Sequence, residues 1–229
     1  MIIAIDGTTS SGKGTLAKRL AAHYGLPHLD TGLLYRAVAR LAMAKGIDTS
    51  NERECALLAE HVDLAEFDER ELRGAGVGAQ ASVVASLGAV RRALFELQRK
   101  FAQQEGGAVL DGRDIGTVIA PDADVKIWVD ASVETRAGRR YRELAGMGEP
   151  VTPESVLEQL KERDARDASR KDAPMKAADD AIGIDTTYLD ADAAFAKALE
   201  IVEEKRRQPK LPKKAPAKPQ AKAKPKAES

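Results

Sequence analysis

Two glycines and a lysine near the N-terminus have the spacing of a phosphate-binding loop. Residues 7–13 read Gly-Thr-Thr-Ser-Ser-Gly-Lys and fit the pattern G-x4-G-K. Glycines let the backbone wrap a phosphate with its N–H groups, and a following helix adds positive potential. Lys13 is expected to reach the β- and γ-phosphates of a nucleoside triphosphate. The residues expected to contact this donor nucleotide are Gly7, Thr8, Thr9, Ser10, Ser11, Gly12, Lys13, Gly14 and Thr15.

The residue after the lysine departs from the usual motif. Gly14 stands where Ser or Thr commonly contacts Mg²⁺, and Thr15 follows it. We therefore expect no direct protein ligand for the metal, which would be carried by ATP close to Thr15. A Gly/Ser turn before an ordinary helix is the alternative explanation of the loop. The motif by itself does not separate kinases from GTPases or other ATPases, but we find no N-K-x-D-like segment that would recognise guanine.

The elements around the loop predict an α/β fold. The β-branched run Ile2–Ile5 is typical of a strand buried on both faces, and residues 14–24 have helical spacing. Such strands alternating with helices favour a central parallel sheet with helices on both faces. Further strands are predicted at 108–110, 125–129 and 181–185, and further helices at 33–44, 55–61, 87–104, 133–144, 156–170 and 191–206.

Two segments between these elements are predicted to be irregular. Residues 66–78 carry many charges and three glycines, which indicates a loop-rich insert. Residues 146–153 form a short Gly/Pro break between two Arg-rich helices, which is typical of a hinged lid.

Three clusters of arginines and carboxylates suggest an acceptor site. They are Asp30–Arg36, Asp111–Asp114 and Arg163–Arg170. An arginine can bind a phosphate through two parallel hydrogen bonds, and ligands of open α/β sheets bind at the carboxyl ends of the strands. The alternatives are a capped helix with a solvated arginine, a turn held by a local ion pair, and a self-paired helix face.

Taken together, these motifs resemble the bacterial cytidylate kinase family over residues 1–205. The motifs are G-x4-G-K, D-T-G-x-x-Y-R (30–36), D-G-R-D (111–114) and E-R-D-x-R-D-x-x-R (162–170), in the family's order. The resemblance implies a three-layer P-loop kinase fold with a nucleoside monophosphate (NMP)-binding region at about 31–100 and a lid at about 136–155. It also implies phosphorylation of CMP and dCMP with ATP and Mg²⁺. Acceptors such as UMP, AMP or shikimate, and a GTP-binding switch, remain alternatives.

The resemblance also assigns roles to individual residues. Catalysis would rest on Lys13, Arg113 and Arg163. The assigned groups are Arg36, Arg113 and Arg163 for the CMP phosphate, Asp167 and Thr31 for the ribose, Ser82, Arg91, Asp114 and Arg170 for cytosine, and Arg139 and Arg140 for the ATP phosphates. The family usually carries an insert of short strands that ends in an Ile-Arg-Thr-like segment. Here residues 62–82 are shorter, are rich in Gly and Ala, and lack that segment.

The charge distribution and the single cysteine restrict the remaining possibilities. Residues 209–229 hold seven lysines and one glutamate, which leaves 29 basic and 35 acidic residues in the rest of the chain. We predict a disordered Lys/Pro/Ala-rich tail at 206–229 without specific nucleic-acid binding, because it lacks aromatic residues for base stacking. Cys55 cannot form an internal disulfide. Without a recognisable signal peptide or membrane span, we expect a cytoplasmic monomer that binds small nucleotides.

Overall fold

A central sheet of five strands organises the molecule. The computed structural model describes residues 1–208, except for the side chain of Ala75; the predicted tail therefore lies outside the described residues from position 209. All four pairings are parallel and the strand order is β2-β3-β1-β4-β5, which confirms the predicted parallel sheet. The strands are β1 (Ile2–Gly7), β2 (His28–Asp30), β3 (Ala108–Gly112), β4 (Val125–Asp130) and β5 (Ile182–Asp185).

Helices connect and cover the strands. The α-helices are α1 (Lys13–Tyr24), α2 (Thr31–Ala44), α3 (Glu52–Glu60), α4 (Glu69–Leu72), α5 (Ala75–Val84), α6 (Gly88–Ala102), α7 (Val133–Gly146), α8 (Pro153–Ser169) and α9 (Ala191–Arg207). A 3₁₀ turn spans Leu64–Glu66, and a π-helical turn spans Ile115–Ile119. Because α9 ends at Arg207, positions 206 and 207 belong to a helix and not to the predicted disordered tail.

The side chains of β1 alternate between two cores, as the two-residue period of a strand requires. Ile3 and Ile5 pack with α1 and α9 on one face of the sheet, whereas Ala4 packs with α2 and α6 on the other. A third, smaller cluster joins α7 to α8 through residues such as Leu144 and Leu160. No helix within residues 1–208 is long and apolar enough to cross a membrane.

The segment predicted as a loop-rich insert is helical, so that prediction was wrong. Residues 64–84 form the 3₁₀ turn, α4 and α5, and α5 packs along α2. One of the three glycines that suggested a loop, Gly78, has a role in packing instead. A Cβ atom added to Gly78 would lie 3.3 Å from Nη1 of Arg36, so the missing side chain leaves room for that guanidinium group.

Candidate active site

Contacts with the end of β4 and within the loop itself hold the phosphate-binding loop in shape. Gly7 has a φ of 153°, and a Cβ atom there would lie 1.9 Å from the carbonyl oxygen of Val129. The hydroxyl of Thr8 donates to Asp130 at 2.6 Å, and the buried hydroxyl of Ser11 donates to the Thr8 carbonyl at 3.0 Å. These three residues therefore brace the loop; that they also contact the nucleotide remains a prediction.

The rest of the loop faces a cleft with a volume of about 430 Å³. From the loop, Thr9, Ser10, Gly12, Lys13, Gly14 and Thr15 line it. The predicted acceptor and lid residues also line it: Thr31, Arg36, Ser82, Arg91, Arg113, Asp114, Arg139, Arg140, Arg163, Asp167 and Arg170. The fold thus brings together residues that are up to 161 positions apart, from Thr9 to Arg170.

Lys13 lies among other charges at the floor of the cleft. Burial, followed by repulsion from Arg113, lowers the pKa of its ammonium group to about 7, while Asp111 and Asp30 act in the opposite direction. Its Nζ donates to the Thr8 carbonyl at 3.3 Å. A nearby polyphosphate would favour the charged form, so the site suits a negatively charged ligand.

Arg113 connects the loop to the acceptor side. Its Nη2 donates to the hydroxyl of Thr9 at 2.5 Å, and its Nε donates to Asp167 at 3.2 Å. Arg163 lies 3.9 Å from the same Asp167 oxygen, Oδ2. Although burial opposes it, attraction from Arg113, Arg163 and Arg170 holds the pKa of Asp167 below its ordinary value. The negatively charged carboxylate of Asp167 therefore holds Arg113 and Arg163 close to each other.

The positive charges in the cleft exceed what the nearby carboxylates neutralise. Burial and then repulsion from Arg163 and Arg140 lower the pKa of Arg36 to about 9, and its Nη1 donates to the Leu72 carbonyl at 2.7 Å. Burial lowers the pKa of Arg163 to about 10 against the attraction of Asp167. Nε of Arg163 and Nη2 of Arg170 are buried without a hydrogen-bond partner among the described residues. Such donors are costly to bury, so they indicate a site built for an anion.

The residues predicted to surround the base line a part of the cleft formed by α5, α6, the turn after β3 and the end of α8. Arg91 forms an ion pair with Asp114, and its guanidinium carbon lies 5.6 Å from the centre of the Tyr35 ring. The hydroxyl of Ser82 receives a hydrogen bond from Arg166 of α8 at 2.9 Å. This part of the cleft therefore offers a carboxylate, guanidinium groups and an aromatic face, which suits a polar heterocycle.

The two predicted lid arginines point to different parts of the cleft. Arg139 donates to the Thr186 carbonyl at 2.7 Å and lies beside the phosphate-binding loop. Arg140 donates to the Arg73 carbonyl at 2.9 Å and lies close to Arg36. Arg139 thus lies beside the loop, whereas Arg140 lies beside Arg36; that both contact the ATP phosphates remains a prediction.

Residues to which the sequence analysis gave no role also contribute. Oδ1 of Asp111 is 2.7 Å from Nε2 of His28, and Oδ2 would lie 3.8 Å from a Cβ atom on Gly14. Burial, then repulsion from Asp30, raises the pKa of Asp111. The sequence placed Asp111 in the cluster Asp111–Asp114 because it follows a predicted buried strand, but assigned it no individual role.

Arg136 links the lid to the loop, and nothing in the sequence distinguished it from the other arginines of α7. Its Nη2 lies 2.7 Å from Asp164 of α8, and its Nη1 donates to the Thr9 carbonyl at 3.3 Å. Arg73, at the end of α4, reaches Asp30 at 3.0 Å and lines the cleft. Both contacts depend on tertiary structure, which the sequence analysis could not anticipate.

Comparisons with known proteins agree with this geometry. Residues 3–204 match the family described as cytidylate kinase. A protein named cytidylate kinase from Methylocella silvestris is 59% identical over 203 residues, which cover 89% of this chain and 94% of that protein. Another with that name, from Xanthobacter autotrophicus, is 57% identical over 206 residues, which cover 90% and 99%.

A solved structure supports the fold alone. An uncharacterised protein from Eubacterium ventriosum matches with a TM-score of 0.50 at 20% identity, over 89% of this chain and 98% of that one. The matches in sequence span the residues that build the cleft and by themselves identify the family: the chain belongs to the cytidylate kinase family.

Proposed function

We propose that this protein transfers the γ-phosphoryl group of ATP to CMP or dCMP, producing ADP and CDP or dCDP. The observation that carries the proposal is the pair of buried guanidinium nitrogens, on Arg163 and Arg170, that have no hydrogen-bond partner among the described residues and border the same cleft as Lys13. Neither nitrogen donates a hydrogen bond to the loop that would hold ATP, so they suit a second anionic ligand. Membership of the family and the names of the relatives support CMP as that ligand.

The reaction needs only positioning and charge neutralisation. An oxygen of the CMP phosphate attacks the γ-phosphorus of ATP, and the bond from that phosphorus to the β,γ-bridging oxygen breaks in line. The electron pair leaves with ADP. The attacking oxygen is already anionic, so the reaction requires no general base and no phospho-enzyme. Lys13 would neutralise charge on the donor phosphates, while Arg36, Arg113 and Arg163 hold the acceptor phosphate in place.

The donor set around the loop fits a magnesium ion carried mainly by ATP. Within residues 1–208, no group of three His, Cys, Asp or Glu side chains could hold a metal. Asp111 and Thr15 border the cleft beside the loop and would be the residues that meet the ion or its water molecules. Mg²⁺ usually keeps several waters and substrate oxygens, and when bound it would screen the phosphate charges.

The part of the cleft around Asp114 gives a physical reason for preferring cytosine. The carboxylate of Asp114 can accept a hydrogen bond from the N4 amine of cytosine, and a guanidinium group such as that of Arg170 can donate to N3 or O2. Uracil presents a carbonyl oxygen at position 4 and a donor at position 3. If UMP were bound, the carboxylate of Asp114 would face a carbonyl oxygen and the guanidinium group would face an N–H donor. Such unpaired polar groups are costly in a desolvated site.

Closure of α7 and α8 over the cleft would exclude water. Hydrolysis of ATP competes with transfer wherever water reaches the γ-phosphate, and a lid that closes on both nucleotides prevents this. Arg139 and Arg140 would follow the phosphates as α7 moves.

We extend the proposal to a cytoplasmic monomer, which cell fractionation and light scattering of the purified protein would test.

A coupled ADP-release assay across acceptors tests the proposal. We expect the largest kcat/KM with CMP and dCMP, and little turnover with UMP, AMP or shikimate. Arg170→Ala and Asp114→Ala should reduce use of CMP far more than residual ATP hydrolysis. Arg206→Ala is the matched control, because Arg206 is exposed on α9 and pairs with Glu203. A higher kcat/KM with another acceptor, or hydrolysis of GTP in the absence of any acceptor, would contradict the proposal.

A further inference from the structure

A buried carboxylate, that of Asp6, connects strand β1 to the π-helical turn that follows Arg113 and Asp114. Asp6 is the next-to-last residue of β1 and directly precedes the phosphate-binding loop. Its Oδ1 accepts a hydrogen bond from the backbone N–H of Ile115 at 2.8 Å, and its Oδ2 accepts one from Gly116 at 2.7 Å. These two amides follow directly after Arg113 and Asp114.

The two amides belong to the start of the π-helical turn, where N–H groups have no partner inside the helix. Asp114 is the residue that would ordinarily cap this turn, but its side chain makes no cap hydrogen bond. Asp6 provides the acceptors instead, from a different strand. The carboxylate of Asp114 is thereby left to the cleft, where it pairs with Arg91.

The environment of Asp6 indicates that its charge does not serve stability. Its carboxylate is 4% exposed and forms no ion pair within residues 1–208. Burial raises its pKa to about 7, and the two amides act in the opposite direction. Asp114 raises this pKa further and Arg113 lowers it. A buried, unpaired carboxylate is costly to a fold, so a role in the site is the better account of its presence.

We propose that Asp6 is a positioning residue for base recognition: it caps the π-helical turn and so directs Asp114 toward the cytosine of the acceptor. This inference rests on the proposed function. Asp6 itself contacts neither nucleotide, since it does not line the cleft. Its effect is transmitted through two backbone hydrogen bonds, and it should therefore change recognition of the acceptor without changing the donor site.

The conservative variant Asp6→Asn separates this role from simple support of β1. An asparagine can accept from one amide, but its NH₂ group faces the other. We expect KM for CMP to rise about tenfold and the CMP-over-UMP preference to fall by a similar factor, because one buried amide is left unpaired. KM for ATP should remain unchanged. Asp124→Asn is the control, since Asp124 accepts from the Ile2 amide at the opposite end of the same strand, at 2.8 Å.

The inference would be overturned if Asp6→Asn raised KM for ATP as much as KM for CMP. It would also be overturned if Asp124→Asn reduced the CMP-over-UMP preference by the same factor. If Asp6→Asn does not fold, hydrogen exchange of the wild-type protein decides. The amides of Ile115 and Gly116 should exchange slowly and be protected further by CMP but not by ATP; fast exchange or no response to CMP contradicts the role. A wild type that does not phosphorylate CMP would refute the proposed function itself, whatever the exchange rates show.

Discussion

The donor and acceptor halves of the cleft are built in different ways. The donor half is one continuous segment, from Gly7 at the end of β1 to Thr15 in the first turn of α1, and its shape depends on backbone conformation. The acceptor half takes its arginines from α2, from the turn after β3 and from α8. Its members meet only because the chain folds, and they are held by Asp167 and by the Leu72 carbonyl.

This difference determines what each half can tolerate. A backbone loop is pre-formed and needs one charged side chain, Lys13, to complete it. The acceptor half places Arg113, Arg163 and Arg170 around the single carboxylate of Asp167, and Arg163 also repels Arg36, so without a ligand this half is electrostatically strained. The comparison implies that changes to the donor side should damage chemistry, whereas changes to the acceptor side should weaken binding and relieve strain.

The largest effect is expected for Lys13→Met. Loss of the single cation of the donor loop should lower kcat about 10²–10³-fold, because the charge that develops on the phosphates is no longer neutralised. Steady-state kinetics with saturating CMP would measure this. Lys100→Met, on the exposed end of α6, is the control and should retain full activity. A fall in kcat below tenfold would show that Lys13 is not central to the donor half.

Arg163→Met tests the acceptor half in the same way. We expect kcat/KM for CMP to fall about 100-fold, because a phosphate contact is lost from a desolvated site. KM for ATP should change little, since Arg163 makes no contact with the loop among the described hydrogen bonds and ion pairs. If both substrates were affected alike, the two halves would not be separable.

The pH dependence of binding should distinguish the two halves. Lys13 has a pKa of about 7 in the unliganded protein, and bound ATP should raise it, so binding takes up a proton above that pH. Affinity for ATP should then fall up to about tenfold per pH unit as the pH rises above 7. CMP should show no such fall between about pH 7 and 8, because the pKa values of Arg36 and Arg163, about 9 and 10, leave them charged there.

Calorimetric titrations in buffers of different ionisation enthalpy would measure this proton uptake. Lys13→Met should abolish it for ATP while leaving the CMP titration unchanged. A titration with CMP that depends on the buffer as strongly as that with ATP would remove the proposed distinction between the halves.

The smallest effect concerns stability without ligand. Arg163 is repelled by Arg113 and Arg140, and its Nε has no hydrogen-bond partner among the described residues. Arg163→Met should therefore raise the free energy of unfolding by about 1 kcal/mol, because it removes a repelled buried charge while Asp167 keeps Arg113 and Arg170 as partners. Urea unfolding of the nucleotide-free protein measures it. Destabilisation by a similar amount would mean that Asp167 needs Arg163 as its partner.

The same contrast explains which parts could be predicted from the sequence. The phosphate-binding loop is local, so its motif, its strand and its helix could be predicted together. The turn at 111–114 could also be predicted, because it follows a buried strand. By contrast, β2 is three residues long, too short for a hydrophobic pattern, and was missed. The glycines of α5 were misread as loop signals, although one of them, Gly78, leaves room for Arg36 in the packed helix.

The supporting residues were the hardest to predict. The contacts of Arg136 with Asp164 and the Thr9 carbonyl join three separate elements, and those of Asp6 cross more than 100 residues of chain. No spacing rule links such partners, because their meeting depends on the strand order of the sheet. The sequence therefore predicted the residues expected to meet the ligands better than those that hold them in place.

A crystal structure with CMP and a non-hydrolysable ATP analogue tests the central claim most directly. The account predicts that Arg36, Arg113 and Arg163 each donate to the CMP phosphate, with Lys13 on the β- and γ-phosphates of the analogue across from it. A CMP phosphate bound outside the reach of these three arginines would contradict the account.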